Sequence, residues 1–330
     1  MKRPAINRPA MKKVLVTGST GLIGSRIVTA LLQAGVPVCA SARSPSSLVA
    51  AELGTPLVSL DVLAPEQWCR DDWEVEVGQV DCLIHCATAN DIVSRDAKRG
   101  FELSLHGTEN VLELARSLGI SRVIYFSTFQ VYGTELSGTV DELRPVHCES
   151  NYGLNHWFGE ELCRLACRQS KMAVAVVRPS NVYGAPVASS VSRETLVPTC
   201  FVQSALNSGA LELRSSGLQY RNFVSTEELA RACLHLLQNF PSDFQIYNLC
   251  SAYSATIRDI AELTAAAFHQ RFGRPLPVHY LSHEPTAREP FVARSRLESI
   301  WDTPEQSRAA MQREIALLIE QMSPSAVAVA

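Results

Sequence analysis

Thr17-Gly18-Ser19-Thr20-Gly21-Leu22-Ile23-Gly24 decides the reading of this chain. The stretch follows a short apolar run, Val14–Val16, and opens a helical pattern in which Ile23, Ile27, Ala30, Leu31 and Ala34 share one face. Its three glycines have separate tasks. Gly18 permits the tight turn, Gly21 lets the backbone approach a pyrophosphate, and Gly24 lets the helix pack closely on a sheet. The helix N-terminus offers unpaired N–H groups and a positive dipole end to the same anion. A strand, this loop and a helix together predict a dinucleotide site at Gly18, Thr20, Gly21, Leu22, Ile23 and Gly24.

Outward from the loop, short apolar runs alternate with helical patterns up to about residue 180. The runs are Val36–Ala40, Pro56–Leu60, Cys82–Cys86, Val123–Phe126 and Ala173–Val177, with helices expected around 102–118 and 151–169. Strands that are apolar throughout and separated by helices form a buried parallel sheet, so the expected fold class is α/β, a Rossmann doubly wound sheet with helices on both faces. Later helices are expected at Leu196–Asn207, Glu227–Gln238, Thr256–Phe268 and Glu305–Met322, with short strands at Leu211–Leu213, Phe223–Val224 and Val278–Tyr280. This predicts a smaller C-terminal α/β substrate lobe. The expected organisation is an extension over 1–10, a dinucleotide-binding domain over 11–180, a substrate lobe over 181–322 interleaved with the first, and a tail over 323–330.

With 330 residues, 46% hydrophobic, the chain can bury a large core without disulfides or metal staples. A formal net charge of -3 gives no basic field for nucleic acid. No apolar run reaches the roughly 18 residues that span a bilayer. Residues 1–10 are basic but lead into no secretory core, and the ten cysteines are scattered without CxxC pairs. Free buried thiols in a reducing cytoplasm are therefore expected, and no metal site.

The spacing of the glycine loop resembles the short-chain dehydrogenase/reductase superfamily, and specifically its extended, nucleotide-sugar epimerase/dehydratase branch. Asp61-Val62 ends the third strand where that family places an acid near the adenine. His85-Cys86-Ala87-Thr88 resembles its segment beside the cofactor, and Gly107, Thr108 and Asn110 resemble its Gly-Thr-x-Asn helix. The resemblance implies that Asp61, Val62 and Ala87 contact the cofactor, and that the protein is a homodimer. At the end of the second strand, Ala42 occupies the usual acid position and Arg43 follows. A carboxylate there would hold ribose hydroxyls and repel a 2′-phosphate, whereas an arginine can pair with the phosphate, so NADP(H) is expected over NAD(H).

Ser127-Thr128-Phe129-Gln130-Val131-Tyr132-Gly133 is similar to the family's catalytic hydroxyl motif, with Thr128 at the hydroxyl. Tyr152-Gly153-Leu154-Asn155-His156 matches its Tyr-Gly-x-x-Lys motif except that His156 stands where lysine is usual. Hydride transfer at a carbinol carbon needs proton transfer at its oxygen. A tyrosine can supply it, but with a reference pKa of about 10 it needs a nearby positive charge near neutrality. Positions i and i+4 share a helical face. Histidine can still donate to the nicotinamide ribose but, with a reference pKa near 6.5, is mostly neutral at pH 7. The implied catalytic set is Thr128, Tyr152 and His156, with the last two also touching the cofactor.

On the substrate side, Arg178-Pro179-Ser180-Asn181-Val182-Tyr183-Gly184, Arg221-Asn222-Phe223-Val224 and Arg288-Glu289-Pro290 resemble nucleotide-sugar segments. The resemblance implies substrate contacts from Gln130, Asn181, Arg221 and Arg288, the two arginines clamping a diphosphate. Phe129-Gln130 replaces the Asp-Glu pair of the sugar 4,6-dehydratases, which argues against dehydration. The expected activity is hydride transfer on a nucleotide-sugar or related hydroxyl/keto substrate, as epimerase or ketoreductase. The alternatives are a reductase of a non-nucleotide carbonyl compound and a non-catalytic NADP-binding regulator.

Overall fold

The structure, a computed structural model, describes residues 13–68, 73, 77–188, 191, 195–281 and 290–323. The expected extension over 1–10, nearly all of the tail and Arg288 lie outside them. The chain runs β1 (Val14–Thr17), α1 (Leu22–Gln33), β2 (Val38–Ala42), α2 (Ser47–Leu53), β3 (Leu57–Ser59) and β4 (Cys82–His85). It continues through α3 (Ala97–Phe101), a π-helical turn (Glu102–His106), α4 (Gly107–Ser117), β5 (Arg122–Phe126), a 3₁₀ turn (Phe129–Tyr132), β6 (Thr139–Val140), α5 (Asn151–Gln169) and β7 (Ala173–Pro179). The last part holds β8 (Asn181–Tyr183), α6 (Val197–Ser208), β9 (Leu211–Leu213), β10 (Tyr220–Ser225), α7 (Thr226–Gln238), β11 (Phe244–Leu249), β12 (Ser254–Thr256), α8 (Ile257–Phe272), β13 (Val278–Tyr280), β14 (Val292–Ala293) and α9 (Pro304–Met322).

The central sheet is parallel and seven-stranded, in the order β11-β7-β5-β4-β1-β2-β3. This is the expected doubly wound order with one more strand on the β7 edge. Successive residues of a strand face opposite sides, and both sides are buried. Leu15, Leu83, Val123 and Val174 pack with Val111 and Ala115 of α4 and Cys163 and Ala166 of α5. Val14, Val16, Ile84 and Ala175 pack on the other side with Ile27, Val28 and Leu31 of α1 and Leu229, Cys233 and Leu236 of α7. A third core, with Phe223, Ile260, Phe268 and Ile315, builds the lobe around α6, α8 and α9.

Three differences from the sequence expectation have physical causes. The second strand runs two residues later than Val36–Ala40, because Gly35 adopts φ +69° and the Val36 N–H closes back on Leu31 O at 2.9 Å, so the chain leaves the helix only at Pro37. The expected helix at 102–118 begins earlier and carries the π turn, from which Ser104 Oγ accepts the Ala89 N–H at 3.1 Å. Phe244–Leu249 gave no strand signal, because Gln245 and Asn248 interrupt its apolar pattern, yet it is the seventh strand. Together with α7, β11 returns the C-terminal half of the chain to the first layer.

Candidate active site

The carboxyl ends of β1, β4, β5 and β7 converge on one cleft of about 350 Å³, at the point where the sheet order reverses between β1 and β4. Its lining includes Gly18, Gly21, Leu22, Ile23 and Gly24 from the loop, then Thr128, Gln130, Tyr152 and His156, then Asn181 and Arg221. Residues expected in three separate roles thus share a single cavity.

The glycine loop is built for a close approach. Gly18 has φ +67°, and a Cβ there would stand 3.0 Å from the Ala87 nitrogen; one at Gly24 would stand 2.2 Å from Gly18 O. The α1 N-terminus carries no side-chain cap and no acid in its first turn, so nothing of the helix's own competes for an anion there. Ser19 and Ser41 fasten the loop to β2: both hydroxyls donate to Val16 O, at 2.8 and 3.0 Å, and Ser41 N–H donates to Ser19 Oγ at 3.0 Å. Thr17 Oγ1 lies 2.7 Å from His85 Nδ1 and accepts the Cys86 N–H at 3.2 Å, which ties the loop to the end of β4.

The other expected cofactor residues, Thr20, Arg43, Asp61, Val62 and Ala87, lie outside the cleft lining. Ala42 is the last residue of β2, and Arg43 follows it, exposed. Asp61 Oδ1 accepts the Leu63 N–H at 3.0 Å, and Asn110 Nδ2 donates to Val62 O at 2.8 Å, so the helix motif residue pins the loop after β3. Thr108, its neighbour in the motif, meets His85 Nε2 at 3.2 Å. Thr20 belongs to the loop's turn.

At the other end of the cleft, Thr128 starts the 3₁₀ turn, its Oγ1 accepting the Gln130 N–H at 3.3 Å. A hydroxyl that accepts in this way still has its own proton to give. Tyr152 and His156 are one turn apart on α5, with ring centroids 4.7 Å apart and edge-on. His156 is 3% exposed. Burial lowers its pKa to about 4, although the backbone carbonyls of Phe126 and Ala89 oppose the shift. His85 is held still lower, at about 3, by burial and then by His156. Both imidazoles are therefore neutral at physiological pH, and position 156 presents no cation to Tyr152. His156 Nδ1 is buried without a hydrogen-bond partner.

Asn181 and Arg221 occupy neighbouring strands of the lobe. Asn181 Nδ2 donates to Asn222 O at 2.9 Å, and Arg221 Nη1 to Tyr220 O at 3.0 Å. Asn222 is buried and structural: its Nδ2 donates to Ser251 O at 2.8 Å.

The sequence reading missed a buried ion pair under the site. Glu160, fully buried on α5, receives Arg178 Nε at 2.9 Å and Nη2 at 2.5 Å, and also the Ser127 hydroxyl at 2.5 Å. Arg178 stacks over the Tyr132 ring at 4.8 Å, and Tyr132 donates to Asn248 Oδ1 of β11 at 2.8 Å. The Ser127 hydroxyl proton is taken by this network, whereas that of its neighbour Thr128, also in the cleft lining, is not. The available signal was spacing: Tyr152, His156 and Glu160 recur every four residues on one helical face. Phe291 also lines the cleft, packed 6.5 Å from the Phe129 ring.

The residues present fit a dinucleotide cofactor. The uncapped α1 N-terminus leaves its first N–H groups to an anion beside the glycine turn, and the orphaned His156 nitrogen suits a hydroxyl. Among the described residues no cluster could hold a metal, and no helix is long and apolar enough to cross a membrane.

Comparison with known proteins agrees with this geometry. The chain is 28% identical to a dTDP-4-dehydro-6-deoxy-D-allose reductase of a Streptomyces species, over 82% of this chain and 84% of that protein. It is 26% identical to the dTDP-D-glucose 4,6-dehydratase of Mus musculus, over 76% and 71%. The crystal structure of a UDP-glucose 4-epimerase from Stenotrophomonas maltophila, with bound NAD and formylated UDP-arabinopyranose, has the same fold, at a TM-score of 0.78 and 18% identity over 94% of this chain and 98% of that one. The profile of one family spans the glycine loop, the Thr128 turn, α5 and the sheet's last strand, residues 14–250, and the chain belongs to that family, the NAD dependent epimerase/dehydratase family.

Proposed function

We propose that the protein is a nicotinamide-dependent oxidoreductase or epimerase acting on a nucleotide-sugar, with Tyr152 as the group that moves the proton at the reacting oxygen. The observation that carries this is the single cleft that holds the glycine loop, Thr128, Tyr152 and Arg221 together. Gly18, Thr20, Gly21, Leu22, Ile23 and Gly24 would hold the pyrophosphate on the N-terminus of α1, with Asp61, Val62 and Ala87 beside the adenosine and nicotinamide halves. A bound nicotinamide supplies the hydride chemistry. Thr128 donates to the substrate oxygen and orients it, Tyr152 gives or takes the proton there, and His156 satisfies its buried nitrogen on a ribose hydroxyl. Gln130, Asn181 and Arg221 of the cleft lining would contact the substrate, Arg221 at its diphosphate; Arg288, outside the described residues, is proposed on the sequence resemblance alone as the second arginine of that clamp.

The end of β2 favours NADP(H) over NAD(H): Ala42 offers no carboxylate to ribose hydroxyls, and the exposed Arg43 suits a 2′-phosphate. A reductase of a non-nucleotide carbonyl compound would leave Arg221 without a task in the cleft. The nine described cysteines are free thiols, which supports a reducing compartment such as the cytoplasm. A homodimer is expected, and light scattering measures it.

The experiment is to purify the protein, release its ligand by denaturation and identify it by mass spectrometry. The protein is then offered UDP- and dTDP-hexoses and their 4-dehydro forms with each nicotinamide cofactor. Nucleotide-dependent turnover is expected. Failure to bind either cofactor, or turnover confined to carbonyl compounds lacking a nucleotide, overturns the reading.

A further inference from the structure

A sugar presents mostly hydroxyls, and each hydroxyl that leaves water for a protein surface needs a hydrogen-bond partner. Beside Thr128, however, part of the cleft wall is apolar. Phe129, Leu136 and Phe291 all line the cleft, and all three belong to one hydrophobic cluster with Val131, Tyr132 and Val140.

This wall is assembled from separate segments and held in place. Phe129 opens the 3₁₀ turn next to Thr128, its ring edge-on to Tyr132 at 5.1 Å and 6.5 Å from the Phe291 ring. Tyr132 is fixed in turn by Arg178 and Asn248. Leu136 precedes β6 and Phe291 precedes β14, and the two strands pair in parallel, Val292 opposite Thr139. The Val292 N–H donates to Gly138 O and the Arg294 N–H to Val140 O, both at 2.9 Å. Parallel pairing carries the residues before both strands to the same end of the ribbon, which is the end at the cleft. Phe129 and Phe291 are only 5% and 6% exposed, so neither ring has to be ordered when a ligand arrives.

The polar groups nearest to the wall in sequence are already engaged. Thr134, also in the lining, gives its N–H and its hydroxyl proton to Glu149 Oε2, both at 2.6 Å. Thr128 O and Gln130 O accept the Val131 and Gly133 N–H groups at 3.4 and 3.2 Å. Gln130 Oε1 accepts the Ser150 hydroxyl at 3.3 Å, which leaves the Gln130 amide N–H groups for a ring hydroxyl. An exocyclic hydroxyl turned toward Phe129, Leu136 and Phe291 meets carbon atoms.

Resting on the nucleotide-sugar reading above, we infer that Phe129, Leu136 and Phe291 form a methyl-recognising wall, and that the sugar is a 6-deoxyhexose. Its C6 is a methyl, an exocyclic group that is apolar throughout. A methyl on this wall takes apolar area out of water, whereas a hydroxymethyl there would lose its water without gaining a partner. An N-acetyl group also ends in a methyl, but its amide needs partners of its own that the wall does not offer. Specificity at this end of the cleft is then set by the wall, and not by the residues that handle the hydride and the proton.

The test is binding, not turnover. Calorimetry with reduced nicotinamide cofactor present, which cannot oxidise an alcohol, compares dTDP- and UDP-linked sugars that differ only at C6: 6-deoxyglucose with glucose, and fucose with galactose. The methyl sugar of a pair is expected to bind at least about tenfold more tightly, within the roughly hundredfold by which an apolar pocket rejects an added hydroxyl. Leu136→Ser and Phe291→Ser should each lower that preference severalfold and leave affinity for the free nucleoside diphosphate unchanged, a split that general loosening of the fold would not give. Phe291→Leu, which stays apolar, should keep most of the preference. Should the serine variants not fold, the wild-type pairs decide alone. Equal binding within both pairs, or tighter binding of the hydroxymethyl sugar, overturns the inference and leaves the nucleotide-sugar reading standing. A preference that survives both serine substitutions does the same, because the methyl is then held elsewhere. So does a gain of UDP-N-acetylglucosamine over UDP-glucose larger than that of the methyl sugars over their partners, which would give the wall to an acetyl group. Binding of none of these nucleotide sugars overturns that reading and the inference with it.

Discussion

Arg43 is the residue on which the proposed preference for NADP(H) rests. It follows Ala42 at the carboxyl end of β2, exposed and free of any carboxylate at the strand's last position. A bidentate, charge-assisted pair with a 2′-phosphate contributes roughly 1.5–3 kcal/mol. Arg43→Ala is therefore expected to weaken NADP(H) binding at least about tenfold and to leave NAD(H) binding nearly unchanged, measured by calorimetry or nicotinamide fluorescence. Equal losses, or a wild-type preference for NAD(H), would remove the assignment. That Arg43 follows the end of the second strand was not read correctly in detail from the sequence, which ended the strand at Ala40; the structure extends it to Ala42 and leaves Arg43 just beyond. His156 was legible only in part. Its identity announced a missing lysine, but its neutrality depends on burial behind Tyr125 and the β5 end, which one helix's sequence does not contain.

Helix α5 carries the site's alignment. Its expected span, 151–169, coincides with Asn151–Gln169, because Ser150 caps it and its apolar stripe is long. The stripe also hides Glu160, whose partners come from β5 and β7 and could not be read locally. That pair ties α5 to the Thr128 turn at both ends, through Ser127 and through Tyr132. Removing one member leaves the other charged and buried, which typically costs about 3–5 kcal/mol. Arg178→Ala is expected to lose that much stability in urea unfolding. Ser127→Ala, which leaves the pair intact and removes one hydrogen bond to a charged group, should lose less, about 1.5–3 kcal/mol. The double replacement Glu160→Gln with Arg178→Met should recover most of the Arg178→Ala loss, since no unpaired charge remains. If Arg178→Ala and the double variant are equally unstable, the pair matters through packing and not through charge. The strand β11 was illegible for a related reason. It is an edge strand whose Asn248 is polar because it serves Tyr132 and Arg294 O, so its pattern reports the network and not the sheet.

At the scale of the whole molecule, two buried imidazoles make the fold sensitive to acid. His85 bridges Thr17 and Thr108, and His156 backs Tyr152. Both are held neutral, with folded pKa values of about 3 and about 4. An unfolded histidine, with a pKa near 6.5, binds its proton first, so the unfolded state takes up protons that the folded state refuses. Stability is thus complete above about pH 6.5 and falls as pH drops toward the folded values, by up to about 1.4 kcal/mol per unit for each group. Thermal melts between neutrality and pH 4 should show this fall, and His85→Gln should flatten it. An unchanged slope in that variant would assign the acid sensitivity to carboxylates instead.

The cleft lies between the sheet, which bears the glycine loop and Thr128, and the lobe, which brings Arg221 on β10. This division gives the two halves separable roles. A guanidinium reaching a diphosphate from β10 should affect only what the lobe holds. Arg221 is also bonded to Tyr220 O, so its stem is already oriented before substrate arrives. Arg221→Ala is expected to raise KM for a nucleotide-sugar by about tenfold or more, the scale of one charge-assisted hydrogen bond, with cofactor affinity unchanged. Inhibition by the free nucleoside diphosphate should weaken in parallel, because that ligand keeps the diphosphate and lacks the sugar. A fall in kcat at constant KM would place Arg221 at the reacting carbon. Unchanged inhibition would show that the diphosphate is held elsewhere, and the lobe's contribution would then reduce to the sugar contacts of Asn181 and the apolar wall at Phe291.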